Sequence, residues 1–284
     1  LYVKTDGTFY VLNDAGEETQ LVPVPALPPG YLFGLTLSNN TTDATNDIDI
    51  AAGKCRDSTD SISIVAAAMT KQLDAGWAAG TNQGMRNSAA AITDTTYHIY
   101  AVAKADGTQD FYAHTSTTVA TVLTALQAET GGADYLYARR ICSIVRASAA
   151  IKAFVQVGDD FTWKAGSVQD VDATNPGTAA VTRTLTVPIG IVVDAKLSFI
   201  IDAVTSTGFN FLLTPLDVDD VVADVINDTA TLFNASGIDQ QHGGTAVVRT
   251  NTSGQIRSRV SVSGTSDRIR LNTSGWIDRR GREA

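Results

Sequence analysis

The sequence predicts an all-β protein: antiparallel β-sandwich or jelly-roll-like modules with one short helix, preceded by a short hairpin segment. Three observations carry that expectation. From Thr178 onward, about seven stretches rich in Val, Ile, Leu, Phe and Thr follow one another, separated by turn residues. Ser, Thr, Asn, Ala and Gly are abundant and charged residues make up only 18% of the 284, a mixture suited to short strands joined by many turns. The densest β signal, YLYARRICSIVRASAAIKAFVQVGDDFTW, runs from Tyr135 to Trp163.

Taken in order, Leu1 to Leu21 reads as two or three very short strands with turns at Thr5–Gly7 and Asn13–Gly16. Alone it cannot bury a core, and the plain reading is a hairpin docked on the main body. Residues 22–30 hold four of the seven prolines, and proline fixes φ and removes donors, so they form an extended, semi-rigid linker. A first β domain is expected over 31–165. In it Tyr31–Ser38 alternates as a strand, and Asp47–Ala51 places Ile48 and Ile50 on one face and two carboxylates on the other. Ile62–Leu73 fits either a helical stripe or strands, and the resemblance described below implies strands. Gly76–Gly84 is a loop around Trp77. Thr96–Lys104 is a strand that turns at Asp106–Gly107, so that Phe111–His114 pairs back on it. Val119, Val122, Leu123 and Leu126 recur with helical spacing before Gly131–Gly132, which marks the one helix.

Tyr137–Val145 is nearly continuous in apolar and β-forming residues, as in a strand covered on both faces. After a short connection at Arg146–Ala150, alternation should point Ile151, Ala153, Val155 and Val157 one way and Lys152, Phe154 and Gln156 the other. Gly158–Asp160 then turns into a third strand ending at Trp163, completing an antiparallel meander. Residues 166–177 read as a polar, acidic connector, and 178–284 as a C-terminal β-sandwich domain. Arg249–Arg259 aligns with Arg270–Arg280 around a shared Asn-Thr-Ser-Gly, either a duplicated strand–turn–strand unit or a coincidence of turn preferences.

Four segments carry a resemblance. They are ARRICSIVR (Ala138–Arg146) with GDDF (Gly158–Phe161), GYLFGLTLSNNTTDATNDIDIAAGKCRD (Gly30–Asp57), NPGTAAVTRTLTVPIGIVV (Asn175–Val193) and GWIDRRGREA (Gly275–Ala284). Together they span most of Gly30 to Ala284, and the pattern resembles structural proteins of tailed bacteriophages and prophages, of the tail-fibre type. The resemblance implies a virion component assembled in a host bacterial cytoplasm, binding a cell-surface glycan or protein without catalysis. It also implies that 1–21 is a fibre-like β segment and the chain a homotrimer, since short fibre segments satisfy their open edges by intertwining. The alternatives are a head decoration or adaptor protein with no receptor-binding role and, as a minor one, a capsule-degrading tailspike enzyme. The loops that would contact a receptor are not identifiable from the sequence.

Charge and motifs point the same way. A net charge of −9 disfavours nucleic-acid binding, which needs an excess of Lys and Arg to displace counterions from phosphates. No run of about 18 apolar residues suggests membrane insertion. No leader is visible, which carries little weight in a chain opening at Leu1. Serine-nucleophile elbows, phosphate-binding loops and zinc-protease motifs are absent, so no enzyme activity, catalytic residue, cofactor or metal site is expected. His98, His114 and His242 are too scattered to form an evident metal set, and His98, beside Tyr97 and Tyr100, reads as a hydrogen-bonded structural histidine. Asp47 and Asp49 are weighed as a charged, solvent-facing strand edge, a cation site or a glycosidase pair, the first preferred. Asp217–Asp220 reads as a solvated loop. Trp77, Trp163 and Trp276 are core residues before they are sugar platforms. Arg279, Arg280 and Arg282, the one basic cluster, are expected to meet acidic groups across a subunit interface. Cys142 reads as a small buried hydrophobe, and a Cys55–Cys142 bridge is disfavoured in a reducing cytosol.

Overall fold

The structure is a computed structural model that describes residues 2–4, 9–20, 27–206, 208–233 and 240–282. The expected linker at 22–30 and the turn at Thr5–Gly7 fall largely outside these. The chain is all-β with one short helix. It begins with a three-stranded antiparallel meander of β1 (Tyr2–Val3), β2 (Phe9–Leu12) and β3 (Glu18–Gln20), tied by Lys4 to Glu18 at 2.6 Å.

Next come β4 (Leu32–Gly34), β5 (Leu37–Asn39), β6 (Asp47–Ile50), β7 (Gly53–Arg56), β8 (Ser63–Ala66), β9 (Met69–Gly76), β10 (Gln83–Arg86), β11 (Thr96–Lys104) and β12 (Gln109–His114). Helix α1 (Val119–Gln127) precedes β13 (Tyr135–Ala147) and β14 (Ala150–Ile151). Eight of these strands form a sheet in the order β14-β13-β11-β12-β10-β9-β6-β5. Its ends approach each other, with Ile151 N on β14 donating to Thr45 O between β5 and β6 at 2.8 Å, so the sheet is nearly closed and barrel-like. The small sheet β4-β7-β8 adds Cys55, Ile64 and Ala66 to the core. Helix α1 lies on the other face, burying Val122 and Leu126 against Tyr100, Tyr112 and Tyr135. Gly132 closes it where a Cβ would lie 1.9 Å from Leu126 O.

One departure from the expected antiparallel pattern is β10, which runs parallel to both β9 and β12. The loop at Gly76–Gly84 thus ends in a strand rather than staying irregular. The buried Lys71 Nζ pins this crossover, donating to Ala78 O at 2.8 Å and Gly80 O at 3.1 Å and pairing with Asp110 at 2.9 Å. A lysine head surrounded by two carbonyls and a carboxylate can be buried because its donors are satisfied.

The remaining strands are β15 (Phe154–Val157), β16 (Asp160–Trp163), β17 (Val168–Thr174), β18 (Val181–Thr184), β19 (Asp194–Ala203), β20 (Gly208–Thr214), β21 (Ala230–Phe233), β22 (Gln240–Arg249), β23 (Gln255–Val260) and β24 (Arg268–Ile277). One sheet orders as β15-β16-β24-β19-β22, with β17 also on β24, and the other as β18-β23-β20-β21. Alternation along β23 and most of β19 and β24 turns Leu197, Phe199, Ile201, Ile256, Val260, Ile269 and Leu271 inward. Phe199 and Phe211 meet between the layers at 5.5 Å. This is the expected antiparallel sandwich pattern.

Several expectations change. The meander over Tyr135–Trp163 is split between two sheets. Strand β13 is covered on both faces as expected, and it turns into β14 through Ser148 and Ala149, both at positive φ. The chain then bends at Lys152–Ala153 and leaves the barrel, and β15 and β16 join β24 instead. The bend inverts the expected alternation. Phe154 is buried, whereas Val155 and Val157 are 49% and 74% exposed. The expected connector at 166–177 is mostly strand β17, which pairs with β24 from Val168 to Thr174. Sheet pairing therefore crosses the boundary drawn at 165/166, and one apolar core runs from Leu35 to Trp276. The repeated Asn-Thr-Ser-Gly takes two conformations: Asn251–Gly254 is a turn, while Asn272–Gly275 lies within β24. The two copies therefore do not form the same strand–turn–strand unit.

Candidate binding cavity at the edge of the long strand

Strand β13 pairs with β11 on one side, and between Ala138 and Ile141 no strand among the described residues covers its other side. A bulge at Ile141 shifts the register, so that Cys142 faces Ile99 while Arg140 faces Tyr100. Two segments cap the open edge. Ser58 N donates to Ala138 O at 2.9 Å, and the tail that follows β24 supplies the rest. There Arg280 and Gly281, both left-handed with φ of 56° and 68°, fold the tail back onto β13.

The tail side chains are consumed by that docking. The buried Arg280 guanidinium donates to three carbonyls, Ile141 O at 2.7 Å, Gly34 O at 2.9 Å and Leu35 O at 2.5 Å. Burial pulls it below the ordinary guanidinium value. Asp278 is held bidentately by Arg140, at 2.7 and 2.8 Å, and also accepts from Arg280 N at 2.7 Å. Burial alone would lower Arg140, but the Asp278 charge and its hydrogen bonds outweigh that and raise it. Arg140 further donates to Ser143 Oγ at 3.0 Å, which lies 2.8 Å from His98 Nδ1. Arg279 lies 3.7 Å from Asp194, and Arg282 pairs with Asp159. All three arginines engage groups of their own chain.

Between the tail, the loop before β19 and the start of α1 lies a cavity of about 470 Å³. Ile191, Val192 and Val193 line its apolar wall, Thr117 and Val119 the helix side, and Arg139, Arg140, Arg249 and Arg279 its charged side. The sequence marks none of these four arginines as a cavity residue; Arg279 stands out there only as a member of the tail cluster. The one available signal was the adjacent Arg-Arg pair in an otherwise apolar strand.

The other candidates are placed as follows. His98 is buried and hydrogen-bonded, and burial, with the nearby Arg140 charge, lowers it to about 4. Asp47 and Asp49 share a face of β6, but β6 runs between β5 and β9 and is no edge. Asp49 accepts from Thr70 Oγ1 at 2.6 Å and Asn40 Nδ2 at 2.8 Å. Burial, then the charges of Asp43, Asp74 and Asp49, raise Asp47. Among the described residues no group of three or more His, Cys, Asp or Glu could hold a metal ion, and no helix is long and apolar enough to cross a membrane. The Asp217–Asp220 loop is tied down by Arg249 at 2.6 Å and Arg259 at 3.0 Å. All three tryptophans are core residues, and Trp276 stacks on Phe161 at 4.9 Å and meets Trp163 at 4.6 Å. Cys55 and Cys142 are buried free thiols.

No family model and no curated protein matches the chain. A solved structure of infectious bursal disease virus, Gt strain, is similar at 11% identity and a TM-score of 0.18, over 95% of this chain and 62% of that one. The chain thus spans less than two thirds of that viral protein's length, and a score so low carries no argument about fold or function.

Proposed function

We propose that the chain is a structural component of a tailed-phage virion, a tail fibre or host-attachment protein that binds a cell-surface receptor without catalysis. What supports this reading is where the resemblance-bearing residues meet. Gly34 and Leu35, the Arg140–Ser143 stretch, and Asp278 with Arg280 lie far apart in sequence and join in one hydrogen-bonded knot. The fourth segment reaches the same region, with Ile189 N donating to Thr96 Oγ1 at 2.9 Å.

The chain would act as a homotrimer with other virion proteins as neighbours. Strands β1–β3 leave Val3, Phe9 and Leu12 at least half exposed, as a stem segment awaiting two further copies would. A head decoration or adaptor is the second reading, favoured by the tail arginines being paired within the chain and not held for an interface. Light scattering on the purified chain separates the two. A mass near three times 29.9 kDa supports the fibre, and a stable monomer moves the decoration reading ahead. Immunogold labelling of intact particles then tests the virion reading itself. Label on tails supports attachment, label on heads supports decoration, and particles free of label overturn both.

A further inference from the structure

Lys71 on β9 and Asp110 on β12 meet across β10, and their side chains are 0% and 1% exposed. Lys71 Nζ lies 2.9 Å from Asp110 Oδ1. The buried Trp77 indole lies 5.9 Å from the ammonium and meets the buried Tyr135 ring edge-on at 5.5 Å. An amine and a carboxyl group, the two halves of an amide, are therefore held in contact where water is excluded. In water such a pair resists condensation chiefly because both ions are well hydrated, and burial has already removed that hydration. Burial also pulls the Lys71 ammonium below its ordinary value, against the opposing Asp110 charge. That shift favours the neutral amine, which is the nucleophilic form. Groups so positioned react as if at concentrations of about 10⁵–10⁸ M.

The backbone around the pair suits the product of that condensation. Gly80 N donates to Asp110 Oδ2 at 2.7 Å, and Lys71 Nζ donates to Ala78 O at 2.8 Å. An amide joining Nζ to Cγ would keep Oδ2 as its carbonyl oxygen on Gly80 N and its N–H on Ala78 O. Both polar groups of the new bond thus have partners already in place, as buried polar groups require. The position is also where a link would strengthen the sheet most. Strand β10 meets β12 through one register pair, Arg86 with Ala113, the shortest ladder in the eight-stranded sheet. A bond from β9 to β12 would span that weak seam.

We propose that Lys71 and Asp110 condense into an intramolecular isopeptide bond once the barrel has folded. A proton passes from Nζ to Oδ1 along their 2.9 Å contact, and the neutral amine adds to Cγ. The oxyanion forms on Oδ2, where Gly80 N faces it. The Cγ–Oδ1 bond then breaks, and Oδ1 leaves as water with a second proton from Nζ. The balance is ammonium plus carboxylate to amide plus one water, with no change of oxidation state. The bond belongs to the barrel's own chemistry and does not rest on the attachment reading.

The test is the intact mass of the purified full chain, folded and then denatured for mass spectrometry. It should fall short of the sequence mass by one water, about 18 Da. Trypsin should leave Lys71 uncut and release one species that joins residues 57–86 to residues 105–139. Lys71→Met should show its own full sequence mass. A succinimide at Asp106–Gly107 would also lose one water, so a deficit that persists in Lys71→Met overturns the proposal. A wild-type chain at its full sequence mass overturns it too, as does one that trypsin cuts after Lys71. Both of these readings come from the wild-type chain, so they decide the matter even where Lys71→Met fails to fold.

Discussion

The pair Arg140–Asp278 joins the barrel to the sandwich, and removing either partner has a calculable sign. Arg140 is 13% and Asp278 1% exposed at the side chain, and the contact is bidentate at 2.7 and 2.8 Å. Arg140→Met would leave a buried carboxylate with one remaining donor, Arg280 N, at 2.7 Å. Stranding a buried charge in this way costs about 3–5 kcal/mol, far above the roughly 0–1 kcal/mol of an exposed pair. Adding Asp278→Asn to that variant removes the stranded charge while keeping an acceptor for Arg280 N. The double variant should therefore be more stable than Arg140→Met alone, by about 2 kcal/mol. Urea unfolding followed by tryptophan fluorescence measures all three variants, with Trp276 two positions from the pair. The reasoning fails if Arg140→Met costs less than about 1 kcal/mol, or if the second substitution lowers stability further.

Three other outcomes are expected. Gly275 lets β24 pass β16, and a Cβ there would lie 2.0 Å from Phe161 O. Gly275→Ala should thus cost about 3 kcal/mol, and an unchanged urea midpoint would contradict the close approach. His98 is neutral in the fold because burial lowers it to about 4, whereas the unfolded chain titrates near 6.5. Below pH ~6.5 the unfolded state binds the extra proton, so stability should fall by about 1.4 kcal/mol per pH unit toward pH ~4, about 3 kcal/mol in all. Above ~6.5 His98 contributes no slope, and His98→Gln should flatten the acid limb. A wild-type profile already flat there would rule the assignment out. Cys55 and Cys142 have no exposed surface, and burial raises both thiols to about 12, so a disulfide exchange reagent should label neither until denaturant is added. Rapid labelling of either one in the native protein would place it at the surface.

The elements legible in the sequence are those whose pattern is local. Thr96–Lys104 is a strand at the expected bounds, the stripe from Val119 to Leu126 is the helix, and Ile62–Leu73 holds two strands. What escaped notice depends on partners distant in sequence. Nothing within Tyr135–Trp163 says that its last two strands pair with β24, because either sheet offers the same backbone donors. The acidic look of 166–177 hid β17, whose carboxylates are answered from the partner strand. Asp172 pairs with Arg268, and Asp170 accepts from Thr273. The parallel β10 rests on Lys71, a residue that reads as surface until its three partners are known. The two Asn-Thr-Ser-Gly copies make the same point. Turn propensity prevails at Asn251, which accepts from Ser253 N and Gln255 N, and it yields at Asn272, where β17 and β19 pair on both sides of the strand.

The candidate site was less legible than the fold, because its distinction lies in how charge is compensated and not in which residues occur. Three arginines are buried around one strand edge, and each meets a different environment. Arg280 is surrounded by carbonyl oxygens, Arg140 is matched by a carboxylate, and Arg139 has no hydrogen-bond partner for Nε and Nη2 among the described residues, with the Asp60 charge in its neighbourhood. The first two explain themselves as ties between the tail and β13, since their donors are filled by groups that docking brings together. Such filling makes a buried charge tolerable, and breaking it is what makes the loss of one partner expensive.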